Sequence, residues 1–470
     1  MYNFNRQGGI IKSIGKRSAI PYIISSLWIT GIFAQAPDTL WTKTFGGLST
    51  DMAYSVQLTA DGGYIIAGYT YSYGAGESDA YVVKTDSQGN AQWEKTYGGP
   101  NDDVGWSVQQ TADGGYVIAG FTNSFGHGDN DVYVVRTDPF GDTIWTRTFG
   151  GTARDQGYSL ALSSDGGVVV AGLTASFGAG AGDVYVIKID SSGNPVWEMY
   201  YGGPEEDGAY SIAGMPDGGF IIAGDTRSFG TGAQDVYVIR LDNNGDSLWS
   251  RTYGGIDHYT ASGVAATSDS GAVMIGITDS YGAMYGDYFL VRINKNGDTL
   301  WTRHYGGEST EWGYSVCQKS DGSYIAAGWS DSYWPGCQMY VIKLDAFGDT
   351  IWTKLLAGDG YAAAFAVDIT PDGGYIIVGC TDTSDMGAPE DGYLVRMGPD
   401  VYGAAEQPTR CPSSGYMSST IIRGVLQLPA GKNYRIFDLT GRIVAPSKMR
   451  SGIYFLETDG KIIQKIIKVR

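Results

Sequence analysis

The sequence predicts an all-β chain: a seven-bladed β-propeller with four antiparallel strands per blade, closed by its N-terminal strand, then a small C-terminal β-sandwich-like domain. Three observations predict it. The first is a phrase, "DGGYIIAGYT" at 61–70, that returns as "DGGYVIAGFT" at 113–122 and "DGGFIIAGDT" at 217–226. The second is its timing. The leading Asp recurs at Asp61, Asp113, Asp165, Asp217, Asp269, Asp321 and Asp372, in steps of 52 residues and once of 51, and a Trp keeps the same step from Trp41 to Trp352. A fixed period of this size marks a repeat architecture. The third is a permuted pair of ends. The Trp strand "DTLWTKTFGG" (38–47) has no unit before it, and the seventh unit, from Ala362, lacks a Trp strand after "DGYLVRM".

Each unit divides at its turn residues. In the first, "AYSVQLT" alternates and reads as a strand. "DGG" is a tight turn, since Gly accepts positive φ without steric cost. "YIIAGYT" is a short apolar run rich in strand formers, "YSYGAGES" a Gly/Ser loop and "DAYVVKT" a third strand. "DSQGN" is a hairpin turn, and "AQWEKTYGG" is the fourth strand. The middle strands are nearly continuous apolar runs, as expected where both faces of a blade pack on neighbours. Radial repetition protects sheet edges. With residues 38–46 as the missing outer strand of the seventh blade, the ring has no free edge, whereas an open solenoid would keep two. This resembles the closure of WD40-type propellers, although the Trp-Asp dipeptide is absent and the period is longer.

The flanks have their own character. Residues 1–17 hold Arg6, Lys12, Lys16 and Arg17 and no acid, and "SAIPYIISSLWITGIFA" (18–34) is uncharged. That order is expected of a secretory signal peptide over residues 1–34, removed after Ala34, with an apolar run short for a membrane span. The propeller is expected over 38–400 and a Gly/Pro/Ser-rich linker over 401–420. Residues 421–470 contain "YRIFDLTGRIV" and "SGIYFLETDGKIIQKIIKVR". These segments resemble the C-terminal sorting domain of bacterial type IX secretion, although the Asn-Pro opening of that domain is missing. The resemblance implies the type IX secretion machinery as a partner and a protein secreted or held on the outer cell surface. The repeats likewise resemble those of secreted bacterial propeller proteins with such tails.

Composition narrows the partners. The chain has 50 acidic residues against 32 Lys and Arg, a formal charge of −18, which repels nucleic acid and anionic lipid. An aromatic content of 13% argues against disorder. The four cysteines, Cys317, Cys337, Cys380 and Cys411, form no Cys-x-x-Cys, so no metal site is expected. Cys317, Cys337 and Cys380 fall in blades six and seven, where a disulfide can form outside the cytoplasm. No cofactor motif stands out, and a monomer is expected.

Comparing blades within one chain separates scaffold from specialisation. An Asp opens the third strand at Asp79, Asp131, Asp183, Asp235, Asp287 and Asp391, with Gln338 in blade six, and a Lys or Arg follows five residues later. Six copies of one acid are expected to cap a loop and pair with that cation, rather than to form a ring of cation ligands or to catalyse. A second acidic set, Asp51, Asp103, Asp155 and Asp207, continued by Tyr259 and Glu311, lies on the links between blades. It is expected as an acidic rim at the channel mouth, able to focus negative potential and to hold a cation or sugar hydroxyls, or as a merely solvated edge. Blades five and six depart most from the repeat. His258, Tyr259, Glu311, Trp312, Trp329, Tyr333 and Trp334 form the candidate ligand-binding set, set against altered packing in one blade. Exposed aromatic rings beside carboxylates suit sugar stacking or a protein partner.

No catalytic residue is assigned. The expected function is a secreted or cell-surface, non-catalytic propeller presenting a binding face to glycan or protein. The alternative is a polysaccharide hydrolase or lyase using channel-mouth carboxylates, which would require two of them facing across a cleft.

Overall fold

The computed structural model describes residues 34–402 apart from 281–285, 334–335, 357–359 and 383–388. Beyond Tyr402 it describes mainly the strand segments 419–423, 434–438, 452–458 and 461–469. Residues 1–33 of the expected signal peptide over 1–34, and most of the expected linker over 401–420, lie outside the described residues. The chain divides into two compact units, one of which spans Ala34–Tyr402.

That unit is a seven-bladed propeller. Among the described residues it holds seven four-stranded antiparallel sheets and no α-helix. Blade 1 is built from Asp51–Leu58, Tyr64–Thr70, Asp79–Thr85 and Ala91–Tyr97, in that spatial order. Blades 2 to 6 repeat it over Asp103–Phe149, Asp155–Tyr201, Asp207–Tyr253, Tyr259–Tyr305 and Glu311–Leu356. Blade 7 takes three strands from Ala362–Met397 and its outer strand from Thr39–Phe45, which runs antiparallel to Glu390–Met397 with Thr39 opposite Met397 and Phe45 opposite Gly392. The ring therefore closes as its permuted ends require. A two-residue strand, Ala34–Gln35, pairs with Val401–Tyr402 beside this closure.

The recurring residues are architecture. Each middle strand is buried along nearly its whole length, as in Tyr64–Thr70 and Asp79–Thr85. At four joints the outer-strand Trp packs edge-on against the Tyr that opens the next blade's second strand, as Trp93 does on Tyr116 at 5.7 Å and Trp301 on Tyr324 at 5.7 Å. Its indole N–H reaches the following blade's hairpin turn, from Trp93 to the Pro139 carbonyl at 3.3 Å. The joint between blades 1 and 2 thus gains apolar burial and one hydrogen bond from one residue.

The repeated cation pairs differently from the expectation. Lys84 lies 2.8 Å from Asp61, in the Asp-Gly-Gly turn, and Arg136 and Lys188 reach Asp113 and Asp165 at 2.5 and 2.6 Å. The third-strand Asp instead caps its own loop, Asp79 accepting the Ala75 N–H at 2.7 Å. The reason is direction. Five positions apart on a strand, Asp79 and Lys84 stand at opposite ends of it, whereas the hairpin register brings Lys84 beside the turn.

In the second unit, four strands form one sheet. Lys461–Val469 lies between Ser419–Arg423, parallel to it, and Gly452–Thr458, and Tyr434–Asp438 forms the far edge. The rest of the Asp-Leu-Thr-Gly-Arg segment, after Asp438, lies outside the described residues.

Candidate functional site: the link end of the inner ring

The first strands of the seven blades form the inner ring around the propeller axis. Serines join them. The Val108 N–H donates to Ser55 Oγ, Ile212 to Ser159, Val264 to Ser211 and Val367 to Ser315, at 3.1–3.3 Å. Four residues into each first strand stands Tyr54, Trp106, Tyr158, Tyr210, Ser262, Tyr314 or Phe365. Their rings touch along the ring: Tyr54 lies 4.2 Å from Trp106 and 4.9 Å from Phe365, and Tyr158 lies 5.4 Å from Tyr210. At Ser262, where no ring stands, Trp312 from blade 6 fills in. It stacks on Tyr314 and donates its indole N–H to Ser262 Oγ at 2.9 Å. The sequence marked Trp312 as unusual but not the aromatic belt, because the belt positions vary in type and do not read as a motif.

The acidic set does not line an open rim. Asp51, Asp103, Asp155, Asp207 and Glu311 are all fully buried. Asp103 Oδ2 accepts the Gly99 N–H and the Ser124 hydroxyl, each at 2.7 Å, and Asp51, Asp155 and Asp207 repeat the pattern with Ser72, Ser176 and Ser228. Glu311 uses its longer side chain to reach Gly307 N–H at 2.8 Å and the Ser330 hydroxyl. These carboxylates tie the incoming link to the loop that follows the second strand. They also face the third-strand acids. The missing Cβ of Gly98 leaves the space in which Asp79 Oδ1 and Asp103 Oδ2 meet. Burial, and then the Asp103 charge, push the Asp79 carboxyl above its usual range.

The departures in blades five to seven are dispersed. His258 is exposed, whereas Tyr259 is buried edge-on against Phe289 at 4.9 Å. Trp312 and Trp329 are half-buried register partners, and Trp329 packs against Met52, Ala363 and Cys380. Tyr333 is exposed at 36% and contacts Tyr340 at 5.7 Å. Trp334 lies outside the described residues. Cys317, Cys337 and Cys380 are free thiols, and burial pushes those of Cys337 and Cys380 up. Half-buried His304 stacks on Phe289 at 5.4 Å.

A feature that the sequence comparison passed over is Asp225. It sits in the second strand of blade 4, where the other blades have Tyr69, Phe121, Leu173, Ile277, Trp329 and Cys380. It is 8% exposed. The Tyr210 hydroxyl donates to it, while burial, and then the charge of Glu206, push its carboxyl up to about 7. Its register partner is Gly208. Just outside, Glu206 is held between Arg154 at 3.3 Å and Arg227 at 3.5 Å. Its signal was visible as one letter, the Asp in "FIIAGDT", but the strong repeat around it drew attention to what was shared.

The register partners at this end of the ring divide it in two. Blades 1 and 2 place Met52 opposite Tyr69 and Val104 opposite Phe121, and blades 6 and 7 place Trp312 opposite Trp329 and Ala363 opposite Cys380. Blades 3 to 5 instead carry Gln156, Gly208 and Thr260 on their first strands, opposite Leu173, Asp225 and Ile277. Tyr158 donates to Gln156 at 2.5 Å, and Gln234 donates to Thr260 at 3.2 Å. Among the described residues no group of three or more His, Cys, Asp or Glu is placed to hold a metal ion, and no helix is long and apolar enough to cross a membrane.

No protein-family model matches the chain. A curated relative, the regulatory protein FlaEY of Caulobacter vibrioides, is 27% identical over 250 residues, which are 47% of this chain and 26% of that protein. The chain thus spans about a quarter of that relative's length. Among solved structures, the Neurospora crassa Pan2 WD40 domain is 13% identical with a TM-score of 0.46, over 78% of this chain and 98% of that one. A Dyadobacter fermentans protein of unknown function is 11% identical with a TM-score of 0.43, over 77% and 99%. The propeller assignment rests on the chain's own strand order.

Proposed function

We propose that this chain is a non-catalytic binding propeller, secreted or held on the outer cell surface, that presents the link end of its inner ring to a glycan or protein ligand. One observation carries the reading. Asp51, Asp103, Asp155 and Asp207 each turn one carboxylate oxygen to a backbone N–H and a serine hydroxyl, while the inner ring sets the polar side chains of Gln156, Thr260 and Asp225 beside its aromatic rings. Such an arrangement offers stacking and hydrogen bonding at one place, and it leaves the repeated acids without a cleft to face across.

Export through residues 421–470 belongs to the same proposal, supported by the resemblance of "DLTGR…GIYFL" to a sorting domain. Two measurements test the reading. The chain produced from residue 35 onward is applied to a glycan array and to candidate surface proteins, where saturable binding without turnover is expected. A reporter fused to residues 398–470 is expected outside the cell in a host with type IX secretion. A reporter left in the periplasm counts against the export part.

A further inference from the structure

Asp225 is costly where it stands. The repeat places an apolar or aromatic side chain, or a cysteine, at this position in six blades, and the blades fold with them. A buried carboxyl there lowers stability unless its hydrogen-bonding capacity is met. Tyr210 meets part of it. The opposite register position is Gly208, whose absent side chain leaves room for a methyl group, bordered by Asp225 Oδ1 at 3.4 Å and by Leu173 Cδ1 and the Tyr210 hydroxyl at 3.5 Å from where a Cβ would stand. A carboxyl and a phenol have been brought together beside a glycine at one point of an otherwise repetitive ring.

The charges around this point offset one another. Arg154 and Arg227 both engage Glu206, and these three side chains are 42–51% exposed. Two guanidiniums disfavour a cationic ligand, and two acids disfavour an anionic one. What remains is hydrogen-bonding capacity in both senses, beside the paired rings of Tyr158 and Tyr210.

We infer that the link end of the inner ring at blades 3 to 5, centred on Asp225, Tyr210 and Gly208, is a binding site for a neutral sugar residue of a glycan. The inference rests on the binding reading above and gives it a place and a ligand class. A sugar supplies O–H donors to Asp225 and Glu206, oxygen acceptors to Arg154 and Arg227, and a C–H face to the tyrosine rings. An Asp225 carboxyl poised near neutrality both donates and accepts, as a hydroxyl partner requires.

The test uses the chain from residue 35 onward with a panel of neutral and of uronic-acid oligosaccharides, read by calorimetry. Asp225→Leu installs the residue that blade 3 carries at this position, and Asp225→Asn keeps the hydrogen bonding. The wild type is expected to bind a neutral member of the panel. Asp225→Leu is expected to weaken binding about tenfold or more without lowering the melting temperature, and Asp225→Asn to weaken it less. Neutral-glycan binding unchanged by Asp225→Leu, with both variants folded, overturns the site and leaves the binding reading standing. Retention of uronic acids alone overturns the ligand class. Binding of no oligosaccharide overturns the inference, and the binding reading then rests on a protein ligand.

Discussion

Trp312 and Ser262 complete the aromatic belt together: the indole N–H donates to the serine hydroxyl at 2.9 Å, across the joint between blades 6 and 5. One blade's missing ring is supplied by its neighbour. Trp312→Gly should therefore open a cavity and cost about 2–4 kcal/mol in chemical denaturation. Ser262→Tyr in the wild type should also destabilise, because the space is taken. Combined, the two substitutions should cost clearly less than their sum. Simple additivity would show that the two sites do not share one space.

Gly98 is expected to tolerate no side chain. A Cβ there would overlap Asp79 Oδ1 and lie 2.6 Å from Asp103 Oδ2. Gly98→Ala should destabilise the propeller by roughly 1–3 kcal/mol. Gly214→Ala is the control: the nearest atom to its Cβ position is the Leu162 carbonyl oxygen, 3.9 Å away. It should show the effect of the added methyl group without the clash. Equal losses at both positions would argue against the carboxylate crowding.

Stability should depend on pH in two opposed ways. Asp225 has a raised folded pKa of about 7, so the folded state holds a proton there that the unfolded chain has released. Its contribution falls as pH rises from the ordinary carboxylate range near 4 to about 7. Asp225→Asn should then gain on the wild type by roughly 1–3 kcal/mol at pH 8 and by little at pH 4. Asp61 is the reverse case. Its carboxyl is lowered to about 2, with burial opposing the Lys84 and Thr59 hydrogen bonds that win. Its contribution is present above about 4 and is lost as pH falls through about 2. Melting curves across pH for the wild type, Asp225→Asn and Asp61→Asn measure both.

Ring closure can be tested in trans. Deleting residues 37–47 removes the outer strand of blade 7 and leaves Glu390–Met397 as an open edge. The melting temperature should fall sharply. A synthetic peptide of residues 36–47 should restore it in a concentration-dependent way, since a partner that binds only the folded state stabilises by mass action. Full stability without the strand would contradict the closure.

The scaffold was legible because it is periodic. Trp41, Asp61 and their copies recur in step, and the permuted ends pointed to Thr39–Phe45 closing blade 7. What periodicity shows is which residues matter, not which way they face. Asp103 looked like a rim residue because its link lies near the axis, yet the register turns its carboxylate back to Ser124. The Asp61–Lys84 pair was missed for a related reason, since its partners meet across a hairpin rather than along one strand. Asp225 was hidden by the opposite effect. It changes one letter in a phrase whose regularity invites averaging, and only its pairing with Gly208 shows that the change comes with space beside it.

Thr39 is made early and its partner Met397 late. Until blade 7 has emerged, the first strand has no edge to join and the ring cannot shut. Contacts this distant along the chain are slow to form and leave hydrophobic strands open while they wait. Shutting the ring is therefore the step that hides the last open strand edge of the propeller.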